Sequence, residues 1–279
     1  MGYSEEIQVI FDKQEENGGP FWSREDGDVH APHGSSTIDT MEVLGELGTK
    51  TKKHPTLLKA IDFLFEYQNV DGSFKYSKAS SKLPSMTARI PAALARLGVG
   101  KDKRAEKGYY QLLDSQCSDG GWRCNTVRIG KSRETDASNP GTTLYVLDAF
   151  RFRSNSPKEI KQLNKGVDFL LNHWETKSPL GPCDFGIGSR FLRIEFPFLR
   201  YNLFYYVYAL SFYKHAREDP RFLDAYKALW VKTRNEEVIP ENPHRAWRTF
   251  HFAKTGQVSK LATKCWLEIK KNMKEPDVK

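Results

Sequence analysis

"SQCSDGGW" (residues 115–122) and "YQNVDGSF" (67–74) are one phrase written twice. Gln116, Asp119, Gly120 and Trp122 each stand 48 residues after Gln68, Asp71, Gly72 and Phe74. A looser third copy, "KQEENGGPFW" (13–22), sets Gln14 54 residues before Gln68 and puts Asn17-Gly18-Gly19 in place of the acidic turn. A glutamine, then Asp/Asn-Gly, then an aromatic at a nearly fixed period marks one supersecondary unit used repeatedly. The Asp-Gly pair is a helix stop, because glycine accepts the left-handed backbone that a helix exit needs.

Each copy closes an amphipathic stretch. "HPTLLKAIDFLFEYQ" carries Leu57, Leu58, Ile61, Leu64 and Phe65 at helical spacing, and "DKRAEKGYYQLLDSQ" carries Tyr109, Leu112 and Leu113. A more apolar helix is predicted after each turn, at 36–48, 83–98, 139–152, 200–216 and 259–272. Further amphipathic partners are predicted at 156–174 and 219–234, with proline just inside the start, and the first at "SEEIQVIFDKQ". Amphipathic helices alternating with apolar ones predict an all-α chain. It is read as one α/α toroid domain over 1–279, with about five helix pairs in two concentric layers around a central cavity.

The phrases "QNVDGSF" and "QCSDGGW" resemble the repeat of the squalene cyclase and protein prenyltransferase superfamily, nearest to its small bacterial repeat proteins. That resemblance implies a cavity for an elongated apolar or isoprenoid ligand. It does not carry over the family's catalytic sets. Where a proton-donating Asp-x-Asp-Asp is expected, "NPGTTLYVL" has Asn139, Gly141 and Thr142. Where an Asp-x-Cys zinc pair is expected, "GPCDFG" has Cys183 before Asp184. Catalysis therefore stays open, no cofactor is named, and no metal ligand set is assigned.

The chemistry-bearing residues lie around the predicted N-termini of the apolar helices. "GDVHAPHGSSTIDT" (27–40) sets His30, His33 and Asp39 before such a helix, where imidazole and carboxylate can trade protons. The simpler reading is a polar loop with a serine cap at Ser35 or Ser36. Asp136 in "RETDASNP" is the matching carboxylate further on, and Arg89 and Thr142 are candidate ligand contacts. Tyr201, Tyr205 and Tyr208 recur at three- and four-residue steps, giving an aromatic face suited to an isoprenoid, to a carbocation or to sugar rings, and Trp122 adds to it. A stripe of this kind is also what a plain core looks like. Two function classes follow: an isoprenoid-binding, cyclase-like protein, or an enzyme acting on acidic sugars. A non-catalytic scaffold is the third reading.

Composition narrows the partners. With 28% charged and 39% apolar residues the chain is of ordinary globular make-up. The net charge of +8 comes from lysines and arginines spread along the chain, so no nucleic-acid footprint is expected, and a small-molecule ligand is. "FPFLRYNLFYYVYALSFY" contains Arg200 and Asn202 and reads as a buried helix, not a membrane span; peripheral membrane contact and oligomeric state stay open. Four cysteines in a chain this long, and a start without a signal-peptide layout, point to a reducing cytoplasm. Cys117 and Cys124, with six residues between them, lack the spacing of a zinc knuckle and read as ordinary thiols.

Overall fold

The computed structural model describes residues 3–124, 137–181, 185–233 and 235–274. Among them are eleven α-helices, two short 3-10 turns and no strand, so the chain is all-α. It divides into two compact units, Met1–Ser115 and Gln116–Lys279, and the boundary falls inside a copy of the repeat turn.

The first unit holds α1 (Ser4–Asp12), α2 (Thr37–Glu46), α3 (Pro55–Phe65), α4 (Pro84–Arg96) and α5 (Lys103–Asp114). Burial separates two kinds of helix. Nearly every residue of α2 and most of α4 are buried, whereas α3 buries one stripe, Leu57, Ala60, Ile61 and Leu64. That is the amphipathic spacing read from the sequence, with Pro55 opening the helix where its missing N–H costs nothing.

The second unit holds α6 (Pro140–Phe150), α7 (Pro157–Thr176), α8 (Leu203–Leu210), α9 (Lys214–Arg217), α10 (Pro220–Trp230) and α11 (Lys260–Lys274). Long α7 starts in a capping box, where Ser156 and Glu159 satisfy each other's backbone N–H groups. The single helix expected over 200–216 is broken after Leu210. The Ser211 hydroxyl donates back to the Tyr208 carbonyl at 2.7 Å, and the Arg217 guanidinium takes the Ser211 carbonyl at 3.1 Å, so the chain leaves α8 and restarts as α9.

The repeat phrase works the same way in both units. Gln68 Nε2 donates to the carbonyl of Gly72 in its own turn at 3.3 Å, and to that of Arg104 in α5 at 2.9 Å. Gln116 Nε2 does the same with Gly120 at 2.6 Å and Gln162 of α7 at 2.9 Å. The glutamine thus bolts its turn to the next amphipathic helix. Gly72 and Gly120 sit at φ +89° and +93°, against the backbone of Lys107 and Lys165. A Cβ on either would run into that lysine's carbonyl oxygen.

A second device ties each turn to the apolar helix after it. Phe74 donates its N–H to Thr87 Oγ1 at 3.0 Å and accepts the N–H of Leu83 at 2.8 Å. Trp122 makes the same pair of bonds with Thr143 and Asn139, at 3.0 and 2.8 Å. Val238 makes it with Thr263 and Ser259, at 3.0 and 2.9 Å, although no Gln-Asp-Gly phrase precedes it. Phe74, Trp122 and Val238 are fully buried, so each bond removes an otherwise unsatisfied donor from the core.

Gly120→Ala is expected to cost about 2–4 kcal/mol, from the left-handed backbone plus the overlap with Lys165. Gly188→Ala, where the new methyl meets nothing within 4 Å, should stay within about 0.5 kcal/mol of the parent protein. Thr143→Val, which keeps shape and strips the acceptor from the Trp122 N–H, should cost about 1–3 kcal/mol. Urea unfolding of the three variants checks the ranking.

Candidate functional site

The loop before α2 is pinned at both ends. The Asp28 carboxylate accepts the N–H groups of His30 and Ala31 at 2.8 and 2.9 Å, and Val29 donates to the Tyr76 carbonyl at 2.9 Å. Ser36 is the N-cap of α2, with its side chain accepting from the Asp39 N–H, as the sequence suggested for Ser35 or Ser36. This geometry fixes Asp39 in the first turn of α2 with no solvent exposure.

Four groups converge on that carboxylate. Its Oδ2 accepts from the Gly34 N–H at 2.6 Å and the Ser36 hydroxyl at 2.8 Å, and lies 3.5 Å from Nδ1 of His33. Its Oδ1 accepts from Nη2 of Arg89 at 2.6 Å. Arg89, reaching across from α4, also grips Glu42 through Nε at 3.1 and 3.2 Å. One turn further along, Arg96 and Glu46 repeat the link at 2.7 Å, where Gly45 lets the two helices approach closely. His33 and Asp39, from one stretch of the sequence, and Arg89, from another 50 residues beyond Asp39, therefore form one contiguous set.

The electrostatics assign different work to each member. Burial alone would raise the Asp39 pKa; the Arg89 charge and the donors around it overcome that and hold the group ionised, well below the usual aspartate value. Glu42 goes the other way, because burial outweighs the help from Arg89 and raises its pKa. His30 is pulled down to about 4 by burial and by the Arg89 charge, and its enclosed Nδ1 has no hydrogen-bond partner among the described residues. Its ring lies 6.2 Å from His33 and 6.3 Å from Tyr76. His33 itself is 44% exposed at its side chain. A buried carboxylate held in its ionised form beside a solvent-facing imidazole can orient that ring, the arrangement of a general acid–base pair. As a donor to an alkene Asp39 is poorly suited, since it holds no proton to give.

The aromatic candidates sit in the second unit. Tyr205 and Tyr208 are buried on α8, and Phe198 stacks on both, with ring centroids 5.0 and 5.1 Å away. Their hydroxyls are engaged: Tyr205 donates to Asp148 at 3.0 Å and Tyr208 to Glu268 at 2.7 Å. Arg151 holds the other oxygen of Asp148 at 2.6 Å and stacks over Tyr208 and Phe212, at 4.8 and 4.3 Å from the ring centroids. Tyr201 bonds Nδ1 of His173 at 2.8 Å, while His173 Nε2 meets the Phe185 carbonyl at 2.9 Å. A carbonyl only accepts, so Nε2 carries the proton and Tyr201 is the donor to Nδ1. Burial lowers the His173 pKa and raises that of Tyr201, which keeps both neutral.

Trp122 is fully buried in its turn, and buried Thr142 gives its N–H to the Asn139 cap at 2.8 Å. Asp136 and Cys183 lie outside the described residues. Cys117 and Cys124 are half-buried, and among the described residues no group of three His, Cys, Asp or Glu side chains is placed to hold a metal ion. The sequence reading overlooked Glu42, Tyr76, Asp148, Arg151 and Glu268. The spacing of Asp39 to Glu42 and of Asp148 to Arg151, three residues on a helix, was the available signal for three of them.

No protein-family model and no curated protein matches the chain, so the reading of the site rests on its geometry. Arg89→Met should cost about 3–5 kcal/mol at neutral pH, because it strands two buried carboxylates. The pH dependence has a definite sign. The Asp39 pKa is lowered on folding, so its contribution is complete above the ordinary value of 3.8 and is lost as pH falls below it. His30, moved from 6.5 to about 4, favours the folded state above pH 6.5 and gives that up between 6.5 and 4. His30→Gln should therefore flatten the loss of stability across that window, measured as the urea midpoint against pH.

Proposed function

We propose that the repeats build an α/α toroid of the squalene cyclase and prenyltransferase kind and that the chain is an acid–base enzyme acting on acidic sugars. The toroid is supported by the alternation of nearly all-buried α2, α4, α6 and α8 with one-faced helices such as α3 and α7. The activity is carried by one observation: exposed His33 lies beside a carboxylate that Arg89 keeps ionised. In this reading His33 removes the proton next to a uronate carboxyl group. The ring double bond forms as the glycosidic oxygen leaves with a proton from Tyr76, whose ring lies near His30. The net positive charge of the chain favours an anionic polymer.

A second reading, an elongated isoprenoid ligand against the α8 aromatic face, draws on the contiguous rings of Phe198, Tyr205, Tyr208 and Phe212. Phe198 already covers two of those tyrosines, which is why the polar site is preferred.

Incubation with pectate and alginate, followed by ultraviolet absorbance of unsaturated sugar ends and by a reducing-end assay, tests the proposal. Turnover is expected on one of them, with a loss of about 100-fold or more in His33→Gln at unchanged melting temperature. Absence of turnover, or full activity in His33→Gln, rejects it. Saturable quenching of tryptophan fluorescence by farnesol, without sugar turnover, would favour the second reading.

A further inference from the structure

The second unit contains a cavity of about 470 Å³ between the end of α6, the start of α7 and the α8–α9 turn, a volume that suits a small molecule. Its apolar wall is Phe150, Ile160, Leu163 and Phe212. Its polar wall presents Arg151, Arg153, Lys214 and His215 against a single carboxylate, Glu218, which lies 3.8 Å from Lys214. Three further carboxylates stand behind these basic groups and are absent from the wall. Asp148 holds Arg151 at 2.6 Å, Glu159 holds Arg153 at 3.3 Å, and Asp168 holds His215 at 2.7 Å. They fix the basic groups in position and limit the charge that the cavity can balance. Asn155 braces the wall from within: its Nδ2 donates to the carbonyls of Phe150 and Arg153 at 3.0 and 3.4 Å.

We infer that this cavity binds a small organic anion, a carboxylate or phosphate ester on an aromatic ring or short apolar chain. The anionic group meets Arg153 and Lys214, and the apolar body lies between Phe150 and Phe212. The Arg153 guanidinium, already held by Glu159, loses little side-chain freedom when the ligand arrives, which favours binding. The site is independent of the His33 set and of any sugar activity.

Calorimetric titration of the full chain with benzoate, phenyl phosphate and neutral benzyl alcohol, at one ionic strength, tests it. One-site saturable binding of benzoate or phenyl phosphate is expected, with none of the alcohol, and the preferred anion identifies the head group. Lys214→Gln and Arg153→Gln should each weaken that binding by about fivefold or more, and Lys227→Gln of α10 should leave it unchanged. Lys214 is 60% exposed at its side chain, so its variant keeps the fold even if loss of the Arg153–Glu159 pair destabilises the other. Failure of both anions to saturate, equal binding of the alcohol, or binding that survives Lys214→Gln overturns the inference.

Discussion

A threonine hydroxyl that catches the peptide N–H of a buried turn residue joins three of the turns to the helices that follow them. Phe74, Trp122 and Val238 are held in this way by Thr87, Thr143 and Thr263, each four residues beyond the residue that returns the second bond. The paired bonds fix the direction in which the helix departs and the depth to which the turn side chain enters the core. Glutamine does the complementary task on the other side of the turn, reaching the neighbouring amphipathic helix. With both sides tied, a turn of a few residues sets the spacing of two helices, and small differences in the loops do not accumulate along the repeat.

That rigid frame permits the charged interior between α2 and α4. An arginine enclosed with two carboxylates is expensive to desolvate, and it persists only where every partner is held at hydrogen-bond distance. Asp39 meets that requirement through Gly34, Ser36 and Arg89 together. Orientation of His33 then follows from packing, not from the flexibility of a surface loop. The second unit uses the same chemistry around Asp148, with the Tyr205 hydroxyl and Arg151 as the partners.

Local features of this architecture were legible in the sequence, and distant pairings were not. Gln68, Gly72, Gln116 and Gly120 could be recognised because they repeat with the same role at the same offset. The threonine clamp escaped notice because its partners are 13, 21 and 25 residues apart, a separation that varies with loop length. Its trace was present all the same in "LPSMT", "NPGTT" and "SKLAT", as were Lys107-Gly108 and Lys165-Gly166 at the points where the turns rest on α5 and α7. His33 and Asp39 share one loop and were paired from sequence, whereas the Arg89 contact spans 50 residues and had to be found in the fold. The α8 break lay hidden because a serine in an apolar run reads as helix until its back-bond to Tyr208 is seen.

Counting charge between α2 and α4 adds a consequence of a different kind. Among the described residues, Asp39, Glu42 and Glu46 gather around Arg89, Arg96 and the half-exposed ring of His33. Burial raises the Glu42 pKa against the help of Arg89, so above the ordinary glutamate value the folded chain holds more of this proton than the unfolded one. Folding of the first unit is thereby linked to the hydrogen-ion inventory of the medium, and its measured enthalpy carries a share from whichever buffer supplies the proton.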